Sequence, residues 1–106
     1  MKTKINQFDA LGRKHGHWEG HHDNGNLSYK GSYLDSKRTG VWETYYENGN
    51  LSWKGSFLKG EQIGLWEHYW YNGNLMYKSS YLNGEGIGTW EWYNEDGNLE
   101  EVIYYH

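Results

Sequence analysis

The chain has neither cysteine nor proline. The first absence excludes disulfide frameworks and thiolate metal sites and leaves the redox compartment open. The second requires turns built by glycine with asparagine or aspartate, the residues that reach positive φ most easily. No apolar run approaches the ~18–20 residues of a membrane-spanning helix. The N-terminal stretch Lys2-Thr3-Lys4-Ile5-Asn6-Gln7-Phe8 is basic without an apolar segment, so no secretory signal is expected and a cytoplasmic location is. Positive charge is scarce: 10 Lys and Arg face 14 Asp and Glu, for a net charge of −4. Nucleic acid and anionic membrane lipid, which call for clustered Lys and Arg, are therefore not expected as partners. There is no Ser/His/Asp order and no Gly-rich phosphate loop ahead of a helix, so neither an enzyme nor a cofactor is expected.

Aliphatic residues are also few, with a mean hydropathy of −1.07. Aromatics instead reach 19% of the 106 residues, with 7 Trp and 11 Tyr. A core made from such residues is half-wet, because Trp and Tyr bury a ring while keeping a polar tip accessible. One domain is the natural count at this length.

What the chain does have is a period. Gly-x-Trp-Glu recurs at Gly16–Glu19, Gly40–Glu43, Gly64–Glu67 and Gly88–Glu91, 24 residues apart each time. Asn/Asp-Gly-Asn-Leu follows at Asn24–Leu27, Asn48–Leu51, Asn72–Leu75 and Asp96–Leu99. A fixed period in the range of roughly 20–50 residues signals stacked units that share a core with their neighbours.

Each unit reads as a β-hairpin. Two aromatic runs flank Asn48-Gly49, which predicts a two-residue type I′ turn. In that register Tyr46 faces Leu51, Thr44 faces Trp53, Glu43 faces Lys54 and Trp42 faces Gly55. The same rule places Glu19 opposite Lys30, Glu67 opposite Lys78, Trp18 over Gly31 and Trp66 over Ser79. The fourth copy departs, with Glu91 facing Val102 and Trp90 facing Ile103, as a terminal capping repeat does. Alternation sorts Trp42, Thr44, Tyr46, Leu51, Trp53 and Phe57 onto one face and Glu43, Tyr45, Ser52, Lys54 and Leu58 onto the other. Asp35-Ser36, Lys59-Gly60 and Asn83-Gly84 are turn dipeptides joining successive hairpins. The expected fold is all-β: an antiparallel meander of tandem 24-residue β-hairpins forming an elongated, open, twisted single-layer sheet. A closed up-and-down barrel is the alternative.

The stretches between the Trp-Glu motifs resemble MORN repeats, whose signature runs Tyr-x-Gly-x-aromatic-x-x-Gly-x-x-His-Gly. The matches are Tyr29-x-Gly31-x-Tyr33 leading to Gly40, Trp53-x-Gly55-x-Phe57-x-x-Gly60 leading to Gly64, and Tyr77-x-Ser79-x-Tyr81-x-x-Gly84 leading to Gly88. Gly12-Arg13-Lys14-His15-Gly16 is similar to the end of a further, degenerate copy. The domain then spans residues 1–106, with 1–15 as the degenerate cap and hairpins at about 16–36, 40–60, 64–84 and 88–106. The Trp-Glu and Asn-Gly-Asn-Leu elements are closer to the bacterial MORN-variant class, in which antitoxin- or immunity-like proteins are common. The resemblance implies a single-layer sheet, often dimeric, serving as a scaffold or protein-binding surface, with phosphoinositide binding proposed for some members and no catalytic residues. The chain departs from the pattern at Thr39 and Ile63, where the histidine belongs, and in its acidic charge.

Residues constant across copies read as structural frame: Trp18, Trp42, Trp66 and Trp90; Gly25, Gly49, Gly73 and Gly97; Leu27, Leu51, Leu75 and Leu99. Positions that vary against that frame are the candidates for a partner site. Two residues after the motif Trp stand Gly20, Thr44, His68 and Trp92; four after it stand His22, Tyr46, Trp70 and Asn94. The expected partner-binding set is Tyr46, His68, Trp70, Trp92, Thr44 and His22, rich in side chains that anchor interfaces. Its expected partner is a protein, a basic enzyme or toxin that an acidic, aromatic-lined sheet could block. Alternatives are a self-associating scaffold, dimerising through a sheet edge at Tyr104-Tyr105 or at the N-terminal strand, and a carbohydrate or lipid headgroup along the trough. His15, His17, Glu19 and His21 are weak metal candidates, since alternate residues on a strand stand ~6.5–7 Å apart. No metal site is expected.

Overall fold

The computed structural model describes residues 4–106, so the first three residues of the expected cap lie outside the described residues. Nine strands follow in chain order: β1 (Gln7–Phe8), β2 (Lys14–His21), β3 (Leu27–Leu34), β4 (Lys37–Tyr45), β5 (Leu51–Leu58), β6 (Glu61–Tyr69), β7 (Leu75–Leu82), β8 (Glu85–Tyr93) and β9 (Leu99–Tyr105). They form one antiparallel sheet in the order β1-β2-β3-β4-β5-β6-β7-β8-β9. The strand order leaves β1 and β9 at opposite ends, so the sheet is open and no barrel closes. Its extents are 48 × 35 × 21 Å.

The register follows the pairing rule along most of each hairpin. Trp42 pairs with Gly55, Glu43 with Lys54 and Thr44 with Trp53. The turn does not follow it. The register shifts between Thr44 and Tyr45, so that Leu51 pairs with Tyr45 rather than Tyr46. The Tyr46 amide donates to Asn50 O at 2.8 Å and the Gly49 amide to Tyr46 O at 2.9 Å. The loop is therefore three residues, Glu47-Asn48-Gly49, with Gly49 at φ +91°, the turn-plus-bulge form of a longer hairpin loop.

The two-residue turns of type I′ character are at the other end of the strands. Asp35 and Ser36 have φ of +53° and +64°, Lys59 and Gly60 +52° and +83°, and Asn83 and Gly84 +51° and +83°. Positive φ at both central residues matches the right-handed twist of the flanking strands. The glycine of the Trp-Glu motif has a separate cause. Gly40 sits at φ +69° within β4, where the β3–β4 register slips between Lys30 and Ser32, and the chain bulges to turn Trp42 onto the sheet.

Trp42 and Trp66 are each 2% exposed on a sheet that has no second layer. The roof is aromatic. Tyr29, Tyr33, Trp53 and Tyr81 pack against a centre of Trp42, Phe57 and Trp66. A continuous chain of ring contacts runs from β1 to β9 through Phe8, Trp18, Tyr33, Trp42, Phe57, Trp66, Tyr81, Trp90 and Tyr105, with successive centroids 4.8–6.3 Å apart. Edge-to-face pairs of this kind add about 0.5–1.5 kcal/mol each beyond the area they bury.

The expected covering of glycine by its paired tryptophan is corrected in one respect. Trp42 is the register partner of Gly55, but the indole that lies over Gly55 belongs to Trp66, on the strand of the next hairpin. Gly31 is likewise covered by Trp42 rather than Trp18. Each indole leans back onto the preceding repeat and so locks repeats together rather than bracing its own hairpin. The third copy carries Ser79 at this position, fully buried, and Trp90 packs against Tyr77, Tyr81 and Gly86 and stays half-buried.

Candidate functional site

Two further systems are built on this sheet. On the face opposite the aromatic chain, Glu19, Lys30, Glu43, Lys54, Glu67, Lys78 and Glu91 stand in consecutive register and end at Val102. The result is a ladder of alternating charge across seven strands. Its carboxylates bond tyrosines two residues along: Tyr45 Oη donates to Glu43 Oε2 at 2.7 Å, Tyr69 to Glu67 at 3.2 Å and Tyr93 to Glu91 at 3.2 Å. Burial, and then the Glu43 carboxylate, push the Tyr45 hydroxyl up to about 12. The ion pairs among the described residues are Arg13–Asp9, Arg13–Asp35 and, at the first rung of the ladder, His17–Glu19.

The same face carries exposed aliphatics that the sequence reading did not single out, Leu58 excepted. Leu34, Val41, Leu58, Leu65 and Leu82 are 53–58% exposed. Each is the immediate neighbour of a ring in the aromatic chain (Tyr33, Trp42, Phe57, Trp66 and Tyr81), so alternation turns all five to the other side. The signal was present as the residue before the motif Trp and the leucine before each type I′ turn.

The six expected partner-binding residues fall into two groups. His22, Tyr46 and Trp70 are brackets between repeats. His22 Nε2 donates to Tyr45 O at 2.8 Å, Trp70 Nε1 to Tyr93 O at 3.1 Å, and Tyr46 Oη to Tyr69 O. The asparagines of the turn motif do the same work: Asn48 and Asn50 both donate to Tyr71 O, at 2.9 and 3.1 Å. Asn24 and Asn26 reach Glu47 O, and Asn72 and Asn74 reach Glu95 O. Each of the first three asparagine turns therefore hangs on the turn of the next hairpin.

Thr44, His68 and Trp92 belong instead to a cross-strand row. The register runs Gly20, Tyr29, Thr44, Trp53, His68, Tyr77, Trp92 and Glu101 from β2 to β9. His68 stacks on Tyr77 at 4.0 Å and 11°, and Tyr77 on Trp92 at 4.1 Å and 22°. Burial lowers the His68 pKa to about 4, so the ring is neutral at neutral pH, and its Nε2 has no hydrogen-bond partner. Burial also raises the Tyr77 hydroxyl. At Thr44 the row is interrupted, and a cleft of about 360 Å³ opens there, lined by Tyr29, Tyr33, Arg38, Trp42, Thr44 and Trp53 among others.

Of the weak metal candidates, the structure brings only His17 to Glu19, whose Oε1 accepts a hydrogen bond from His17 Nε2 at 2.9 Å. His15 pairs with Gln7 and His21 with Leu27. Among the described residues no three His, Cys, Asp or Glu gather where one ion could be held.

Tandem hairpins, inter-repeat brackets and an aromatic chain through every strand define a single-layer β-repeat protein. Four copies of the MORN repeat variant match residues 14–35, 38–58, 62–83 and 87–106, and the chain belongs to that family. No curated protein and no solved structure matches it. MORN repeats are generally protein- or membrane-interaction modules, and the family is generally non-enzymatic. No helix among the described residues is long and apolar enough to cross a membrane.

Proposed function

We propose that the protein is a non-enzymatic protein-binding module, of the antitoxin or inhibitor kind, that acts by occupying a partner's surface. The observation that carries this reading is the stripe Leu34, Val41, Leu58, Leu65 and Leu82, each more than half exposed on one face of a single-layer sheet. A contiguous exposed apolar patch rimmed by polar groups marks an interaction site more often than chance. The charge ladder beside it supplies such a rim, and the net charge of −4 suits a basic partner. Support for the aromatic face is smaller. His22, Tyr46 and Trp70 are committed to backbone carbonyls, and Thr44, His68 and Trp92 are half-buried.

The test is to cross-link the protein in its source cell, identify the partner and measure the affinity of variants. The pair Leu58→Ser and Leu65→Ser should weaken binding at least ~10-fold, about 1.4 kcal/mol, while the pair Trp53→Ala and Trp92→Ala leaves it unchanged. The reverse result moves the docking surface to the aromatic face. If both pairs bind as the parent does while melting cooperatively, the sheet faces do not hold the partner and the reading fails.

A further inference from the structure

The row across the aromatic face is a stack with one rung missing. From β5 to β8 every strand contributes a ring to it: Trp53, His68, Tyr77 and Trp92. On β4 the position is held by Thr44, between Tyr29 on β3 and Trp53 on β5. Neither neighbour fills the gap. Tyr29 leans the other way, over Gly20, where a Cβ would lie 2.2 Å from its Cε1. Trp53 stacks onto Trp66, with centroids 4.8 Å apart. The strands carrying Tyr29 and Trp53 are two spacings apart, ~9.4–9.8 Å. A flat ring in van der Waals contact on both sides needs ~7–8 Å. The cleft's volume of about 360 Å³ falls in the range of small-molecule sites, roughly 300–1,000 Å³.

The cleft also has a cationic end. Arg38 lines it, with its guanidinium carbon 5.0 Å from the Trp42 ring centre and 5.2 Å from that of Phe57. Lys37 precedes it, and Lys14 lies 5.0 Å from the Trp18 and Tyr33 ring centres. Basic residues at these two positions are confined to the first two copies, as Arg13-Lys14 and Lys37-Arg38, since the later copies have Glu61-Gln62 and Glu85-Gly86 there. Beneath the floor, Thr44 Oγ1 is buried and has no hydrogen-bond partner. The gap thus falls in one of the two repeats that carry this positive charge, in an otherwise acidic protein.

We infer that this cleft is a binding site for a planar aromatic or heteroaromatic ring bearing an anionic group on a short linker. The ring takes the missing rung between Tyr29 and Trp53, and the phosphate or carboxylate meets Arg38. A polar ring edge would satisfy the Thr44 hydroxyl after rotation about χ1. This site lies on the face opposite the aliphatic stripe and stands independently of protein docking.

Titration with adenosine monophosphate and with indole-3-acetate, read by calorimetry and by tryptophan fluorescence where the ligand does not absorb, tests the inference. Saturable binding of at least one probe is expected. Arg38→Gln should weaken it at least 10-fold, and uncharged adenosine should bind at least 10-fold more weakly than its monophosphate. The deciding variant is Thr44→His, which installs the ring that the next repeat already carries at His68 and should fold as the parent does. It should abolish binding with an unchanged circular-dichroism melt. Binding of one probe alone assigns the anion as phosphate or carboxylate. Saturation by neither probe, equal binding of adenosine, or undiminished binding by Thr44→His overturns the site.

Discussion

The indole of Trp66 occupies the space that Gly55 leaves empty, so that a Cβ on Gly55 would stand 2.1 Å from Trp66 Cδ2. Gly55 is on β5 and Trp66 is on β6, in successive hairpins, which makes this contact a rivet between repeats. Gly55→Ala must push a 2%-exposed indole out of its seat. The expected cost is that of overpacking, ~1–3 kcal/mol. With ~4–8 °C of Tm per kcal/mol in a domain of this size, thermal circular dichroism should show a fall of several degrees or more. An unchanged melt would mean that the indole moves freely.

Ser79 stands where Gly31 and Gly55 stand in the earlier copies, and its Oγ is fully buried with no partner. Removing that hydroxyl relieves a desolvated polar group. Ser79→Ala should therefore raise stability by about 1 kcal/mol, measured as a higher urea midpoint at unchanged slope. A lower midpoint would show that the hydroxyl is satisfied in solution.

His68 predicts a pH dependence. Its folded pKa is about 4 against an ordinary value of 6.5, because burial disfavours the imidazolium. Below 6.5 the unfolded chain takes up a proton that the folded chain refuses. The neutral ring's contribution is thus complete above pH 6.5 and declines as pH falls from there toward 4. His68→Phe keeps the stack on Tyr77 and removes the titration. The difference between the parent and H68F melting curves should be flat above pH 6.5 and grow on acidification; a constant difference would contradict the burial.

The asparagine brackets carry their own control. Asn50 Nδ2 donates to Tyr71 O in the next hairpin, whereas Asn98, in the last hairpin, makes no such side-chain bond among the described residues. Asn50→Ala should cost about 0.5–1 kcal/mol, while Asn98→Ala should leave the denaturation midpoint in place. Equal effects would assign both asparagines to turn propensity alone.

Much of the fold was legible because a hairpin repeat is governed by neighbours in the chain. The Glu43–Lys54 and Thr44–Trp53 pairings follow from counting back from a bend, and the structure keeps them. The turn type at Asn48-Gly49 was misread, because Asn-Gly is the common signal of a two-residue bend while the Asn48 and Asn50 amides bracket the next loop at Tyr71 O. That demand comes from a residue 21–23 positions away and leaves no local mark. The candidate site was only half legible. Period-24 variation flagged Thr44, His68 and Trp92, yet Trp70 and Tyr46 varied in the same manner and proved to be brackets.

Spacing, glycine placement and alternation were enough to establish four hairpins, their order and the Glu–Lys pair within each of the first three, since each depends on residues adjacent in sequence or directly across one strand pair. The pairs between hairpins that join them into a ladder came from the structure. Side-chain lean was not encoded there. Trp66 covers Gly55 of the previous hairpin and Tyr29 falls over Gly20, and both depend on how rings share space across three strands at once. Packing in three dimensions therefore chose which tryptophans are roofed, which aliphatics face solvent, and where one rung of the stack was left open.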